Sequence, residues 1–395
     1  MKIGILTYHA PCNFGANLQA YSSTKFFEEK GFDVCVINFI REGEFEVRNK
    51  DPMQVHAHFI FSQKKLPVTE IATKENILSV VEKNNIDVVV VGADAVWNIR
   101  GDDLKIFFAS WLWNSVLAEK VKVACVSPAF MGRTYLNLPK QERDQYKNYL
   151  LNFSYVNTRD EWTRTKINEE IMGFEYIKKT NPDPVFLLND LCDEKWTPQI
   201  NIQPKKYVLI SLPAHSDRRL TFIKKLWIKI FAKILHKNGL ILVELPTPDG
   251  VSGFKFDYTV PYPIDPMQWF LWIKNTAGFV GIRFHAIVSC ISAGTPFFSF
   301  DTYGYMPNIM RVLKYFGVHF LDRKLNVDSK IRNLLEGSGL EYLRVRGDSS
   351  FFSVSPFKIF KHLKNVDSQK IITFRDENIR RFRENMDELI ECIKR

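Results

Sequence analysis

Apolar residues along the chain fall in short blocks between polar turns, and the blocks alternate between two spacings. Lys2–Thr7 (KIGILT) and Asp33–Phe39 are compact apolar runs of strand length. Between them, residues 16–30 repeat apolar positions at helical spacing and close at Gly31. Strand, loop, helix and strand in that order predict a βαβ opening with parallel strands. Residues 41–75 are polar and irregular and predict a surface flap. Order resumes with a helix around 76–85 and the run 87–91 (DVVVV), the most strand-like in the chain. Residues 121–126 predict another strand, 141–151 a helix, and a short strand ends at Asn157. Residues 185–188, introduced by Asn181-Pro182-Asp183-Pro184, close this half.

A polar, proline-containing connector at 195–206 separates the halves, and the same grammar then restarts. Residues 207–212 read as a strand, 218–237 as a helix and 240–245 as a strand, followed by a proline- and glycine-rich loop at 246–263. A helix at 266–275, a strand at 278–282, a helix at 285–293 ended by Gly294, and a strand at 297–300 follow. A basic stretch at 358–370 and an amphipathic helix over roughly 376–394 finish the chain. The expected fold is α/β: two Rossmann-like domains, 1–194 and 207–345, facing a central cleft, with a basic tail and C-terminal helix at 346–395. The first βα turn lacks G-x-G-x-x-G, so no dinucleotide is implied.

Composition narrows the ligand. The 395 residues exceed one ordinary core, and 46% hydrophobic content suffices to bury two. A formal charge of +10 favours an anionic ligand, an acidic membrane surface or nucleic acid. The basic residues are scattered and no compact DNA or RNA motif is present, which sets nucleic acid aside. Six widely spaced cysteines form no CxxC pair and no Cys/His cluster, so neither a disulfide framework nor a metal site is expected. His56 and His58 lack a third ligand and are expected at the surface. No secretory leader pattern is evident, and no apolar run approaches the roughly 18 residues of a membrane span. These features predict a cytoplasmic, soluble protein that touches the inner face of the membrane only peripherally.

The candidate chemistry lies where strands hand over to helices. Arg283 and His285 stand between the strand at 278–282 and the next helix, a position that open α/β sheets use for ligands and that favours anions. They are an anion clamp or, more plainly, polar residues capping a helix. Asp94, in Gly92-Ala93-Asp94-Ala95-Val96-Trp97-Asn98, is a candidate for acid–base work or for holding a sugar, and alternatively an N-cap. Trp97 could offer a ring face to a sugar. Gly15, in the loop with Asn13, either admits a ligand close to the backbone or makes a tight turn. Arg159 follows a strand and either serves the same cleft or pairs with Asp160 or Glu161. His215, in the loop after the strand at 207–212, comes from the second wall beside Arg283 and His285.

Taken in order, several of these segments resemble the polysaccharide pyruvyl transferase family. The residues are Lys2–His9 with Asn13-Phe14-Gly15-Ala16 and Leu18-Gln19-Ala20-Tyr21, then Asp87–Asn98, where Ala93 and Ala95 replace the family's serine and glutamine. Thr158-Arg159-Asp160, Asp183-Pro184, and Arg283-Phe284-His285-Ala286 with Gly294-Thr295-Pro296 complete the likeness, which runs from residue 1 to about 305. The resemblance implies a glycosyltransferase-B-like fold and transfer of pyruvate from phosphoenolpyruvate to two hydroxyls of a sugar, as a cyclic ketal. It implies no cofactor beyond the phosphoenolpyruvate donor. It also implies that Arg159, Arg283 and His285 hold the donor. Guanidinium forks bind carboxylate and phosphate bidentately, and an imidazole can carry a proton near neutral pH. Asp94 is the candidate general base, with Asn13, Gly15, Trp97 and His215 lining the acceptor side. The basic tail would suit a polyprenyl-diphosphate-linked acceptor in capsule or exopolysaccharide synthesis. A nucleotide-sugar glycosyltransferase of the same architecture and a non-catalytic glycan-binding module are the alternatives.

Overall fold

The structure, a computed structural model, describes residues 1–40, 51–98, 102–130, 134–197, 202–212, 221–301, 329–345 and 354–395. The chain divides into two compact units: Met1–Glu46, His58–Leu187 and Glu377–Arg395 form the first, and Val47–Ala57 with Leu188–Asp376 form the second. The connector expected at 195–206 therefore belongs to the second unit, and the last residues of the chain to the first.

The first unit holds strands β1 (Lys2–Leu6), β2 (Asp33–Phe39), β3 (Val68–Ala72), β4 (Val88–Val91) and β5 (Lys122–Cys125), all parallel, in the order β3-β2-β1-β4-β5. β4 is four valines, every one buried, as a strand covered on both faces requires. Helix α1 (Phe14–Glu29) makes the β1–β2 crossover. The short strand expected to end at Asn157 is reduced to one bridge, Ala124 to Tyr155. Residues 184–187 form a short 3-10 turn.

The segment expected as an irregular flap contains helix α2 (Pro52–Lys65) and the edge strand β3. The buried positions of α2 include Gln54, His58, Phe61 and Ser62. His58, expected at the surface, is wholly buried and hydrogen-bonds Asn17 of α1 through Nδ1; His56 alone of the pair is exposed. The second unit's Gln54 donates to the Ile264 carbonyl at 2.9 Å and accepts from the Ile264 amide at 2.7 Å.

The second unit holds β6 (Tyr207–Ser211), β7 (Ile241–Glu244), β8 (Tyr258–Thr259), β9 (Gly278–Gly281), β10 (Phe297–Phe300) and β11 (Arg344–Val345), parallel throughout, in the order β8-β7-β6-β9-β10-β11. Helix Pro266–Asn275 begins at Asp265, whose carboxylate accepts from Met267 N at 2.8 Å, with proline in its first turn. Its Trp269 and Trp272 are core residues. The terminal helix starts earlier than expected, at Ser368, and runs to Lys394. Within the first unit its Phe382 meets Phe26 edge-on at 5.4 Å, and Asn385 donates to the Thr180 carbonyl at 3.1 Å.

Candidate active site

Strand order fixes where each unit can hold a ligand. In the first sheet the winding reverses between β1 and β4, and in the second between β6 and β9. A crevice opens beyond the carboxyl ends of the strands at such a reversal. In the first unit the two exits are residues 7–15 and 92–98; in the second they are the stretch after Ser211 and the turn at 282–285.

Gln19 of α1 locks the first unit's exits together. Wholly buried, it donates to Thr7 Oγ1 at 2.8 Å and to the Tyr8 carbonyl at 3.0 Å, and accepts from the Ala93 amide at 2.9 Å. Asn13 caps α1 by accepting from the Gly15 amide at 3.1 Å and is exposed; Gly15 is buried in the first helical turn rather than in a tight turn. Gly92 follows β4 with φ +114, and a Cβ there would lie 2.1 Å from the Val126 carbonyl oxygen, so glycine is required. Asp94 then takes φ +67, with its carbonyl accepting from Ala129 N at 2.7 Å.

The Asp94 carboxylate meets Arg159. Arg159 Nη1 lies 3.3 Å from Asp94 Oδ1 and 3.1 Å from Asp183 Oδ2, and only 4% of the arginine side chain is exposed. Asp183 is fixed in turn, its Oδ1 accepting from Val185 N at 3.1 Å. Burial alone would weaken the guanidinium's hold on its proton, but Asp183 and Asp94 more than offset it, and the pKa is raised. Asp160, the alternative partner, instead caps the next helix, accepting from Thr163 N at 2.8 Å. Arg159 is thus engaged by two carboxylates through Nη1. Trp97, expected to line a cleft, is wholly buried. Its indole N–H donates to the Phe107 carbonyl at 3.2 Å and its ring stacks on Phe108 at 5.3 Å, so no face is left for a sugar.

In the second unit, Arg283 is the N-cap residue of helix Phe284–Ser292 with extended backbone and no capping bond from its side chain. Its guanidinium donates to Asp249, and both side chains are 40% exposed. His285 sits in the helix's first turn, half-buried, with Phe284 edge-on at 5.1 Å. Asp249 rides on a turn closed by reciprocal backbone bonds of 3.0 Å between Thr247 and Gly250. That loop is anchored by Glu244 at the end of β7, which accepts from Ser252 N at 2.6 Å and from Thr259 Oγ1 at 3.2 Å. Burial pushes the Glu244 carboxyl up, and these hydrogen bonds draw it part of the way back. His215 lies outside the described residues.

Asp183, Asp249, Glu244 and Gln19 were not singled out as site residues by sequence reasoning. Thr247-Pro248-Asp249-Gly250 does carry a turn signature that points to Asp249. Nothing in spacing marks Gln19, whose role depends on strand order. Among the described residues, no cluster of His, Cys, Asp and Glu could hold a metal ion.

A family model, polysaccharide pyruvyl transferase, matches residues 13–303. The chain belongs to that family. Membership makes it a transferase with a donor and a sugar acceptor. No curated protein is similar to it in sequence. Solved structures share its fold. UDP-GlcNAc 2-epimerase from Methanocaldococcus jannaschii superposes with TM-score 0.53 at 13% identity, covering 93% of this chain and 94% of that one. The glycosyltransferase SnogD from Streptomyces nogalater gives TM-score 0.51 at 10% identity, covering 99% of both chains. This pyruvyl transferase family member therefore has the α/β, glycosyltransferase-B-like fold expected from its sequence. Among its described residues, no helix is long and apolar enough to cross a membrane.

Proposed function

We propose that the protein moves pyruvate from phosphoenolpyruvate onto two hydroxyls of a sugar in a bacterial-type surface polysaccharide or its lipid-linked precursor. The observation that carries this reading is the half-exposed Arg283 at the second sheet's switch point, with His285 in the helix turn behind it, in a chain of this family. Phosphoenolpyruvate presents a carboxylate and a phosphate on one small skeleton. A guanidinium at a helix N-terminus grips either, displacing Asp249.

His285 serves as acid or as donor to the phosphate bridge. Protonation of the methylene carbon leaves an oxocarbenium-like centre at the adjacent carbon. One sugar hydroxyl adds there and loses its proton. The bond to the phosphate oxygen then breaks, with its electron pair leaving on phosphate. A second hydroxyl closes the ring and gives up its proton. The products are the cyclic ketal and inorganic phosphate, and the reaction as written needs no cofactor. Asp94, oriented by Arg159, is assigned to the acceptor as base or anchor.

The test is phosphate release from phosphoenolpyruvate with candidate sugar acceptors, alongside mass spectrometry of the acceptor. A gain of one pyruvate less one water is expected. Arg283→Ala and His285→Ala should each lower turnover at least about a hundredfold, the span of one lost acid–base or charge-stabilising group. Unchanged turnover in either variant removes that residue from the reaction.

A further inference from the structure

Two neighbouring helices of the second unit lack acidic residues altogether. Residues 221–239 contain five lysines and residues 355–366 contain three, with no aspartate or glutamate in either stretch. Helices Thr221–His236 and Pro356–Asn365 pack against each other, and each packs on the sheet, against β7 and β10 respectively. Trp227, Ile228, Phe231 and Leu235 from one and Ile359 and Leu363 from the other enter a single core. Trp227 Nε1 donates to the Val354 carbonyl at 2.9 Å, tying the approach to the second helix onto the first. With their inner faces committed to one core, the two outer faces look away from the sheet as one surface.

That surface pairs charge with exposed apolar groups. On the first helix Phe222, Lys225, Leu226, Lys229 and Lys233 recur at helical spacing, and all are exposed. On the second, Phe357, Lys358, Lys361 and Lys364 are exposed. Phe222 is 77% exposed and Phe357 67%, each in the first turn of its helix. None of these lysines forms an ion pair among the described residues. Burial, and after it Lys358 and Lys361, depresses the neighbouring His362. A solvated surface needs no largely exposed phenylalanines, and a neutral protein partner would leave the lysines uncompensated. A plane of negative charge over an apolar interior satisfies both features at once.

We infer that this two-helix face docks on an anionic phospholipid bilayer, with the lysines against headgroups and Phe222, Leu226 and Phe357 inserted among them. The inference does not depend on the transferase reading. It is tested by flotation of the full chain with vesicles of phosphatidylcholine containing phosphatidylglycerol, against phosphatidylcholine alone. Binding to the first and not the second, weakened by salt, is expected. Combining Lys225→Glu, Lys229→Glu, Lys361→Glu and Lys364→Glu should cut partitioning at least tenfold, on the order of 1.4 kcal/mol. Phe222→Ser with Phe357→Ser should weaken it at unchanged salt dependence. All six positions are exposed, so each variant should keep its melting temperature. Equal binding to both vesicle types, no binding to either, partitioning indifferent to charge reversal, or retention on a structured RNA without vesicle binding would overturn the inference.

Discussion

Arg159 has 4% of its side chain exposed between two carboxylates, whereas Arg283 is 40% exposed against one. The difference decides what each can do. In the buried cluster the guanidinium is held by two carboxylates. Arg283 meets one solvated carboxylate, a contact worth little by itself, which an anionic donor would have to displace under the proposed function. Arg159 accordingly fixes the Asp94 and Asp183 carboxylates. Replacing it with methionine strands two buried carboxylates and should cost about 3–5 kcal/mol in urea denaturation. Arg159→Lys, which keeps charge but not the fork, separates the roles. A positioning role predicts lost stability with little change in KM for phosphoenolpyruvate, and a donor contact predicts the reverse. Both arginines stand at recognisable places in the sequence, but their partners are 34 to 65 positions away for Asp249 and Asp94, beyond what local spacing reports. Trp97 misleads for a related reason: it ends an apolar run whose motif suggests a site, while Phe107 and Phe108 claim its N–H and its ring.

Helix α2 shows why one segment escaped the hydrophobic pattern. Its buried positions carry Gln54, His58 and Ser62, so the period is present but written in polar residues that find partners on other elements. His58 bonds Asn17, and Ser62 bonds His9 Nδ1 at 2.6 Å. By contrast, helix Pro266–Asn275 is plain in the sequence because aspartate cap, proline and apolar stripe agree. The polar seam under α2 has a pH signature. Burial lowers the His9 imidazole from 6.5 to about 4, so the unfolded chain takes up a proton at higher pH than the folded one. Stability should fall as pH drops from about 6.5 towards 4, by up to about 3 kcal/mol from this group. His9→Gln should flatten that part of the stability–pH curve, measured by denaturant titration at several pH values. An unchanged curve would mean that His9 binds its proton at the same pH folded and unfolded.

Both sheets repeat one winding, and β1, β2, β4, β5, β6, β7, β9 and β10 could be read from the sequence as short apolar runs, whereas β3, β8 and β11, partly exposed and carrying polar residues, could not. Under the proposed function the donor is chosen by the turns, so ligand stabilisation should separate this family member from nucleotide-sugar enzymes of the same fold. Saturating phosphoenolpyruvate should raise the melting temperature by on the order of 1–2 °C, uridine diphosphate should leave it unchanged, and Arg283→Ala should abolish the shift. A uridine diphosphate response with none to phosphoenolpyruvate would favour a glycosyltransferase instead. The order of strands reserves a place for a ligand before any side chain is chosen. New substrates can therefore be sought by rewriting short connecting segments such as 246–257 and 282–285, leaving the woven backbone beneath them untouched.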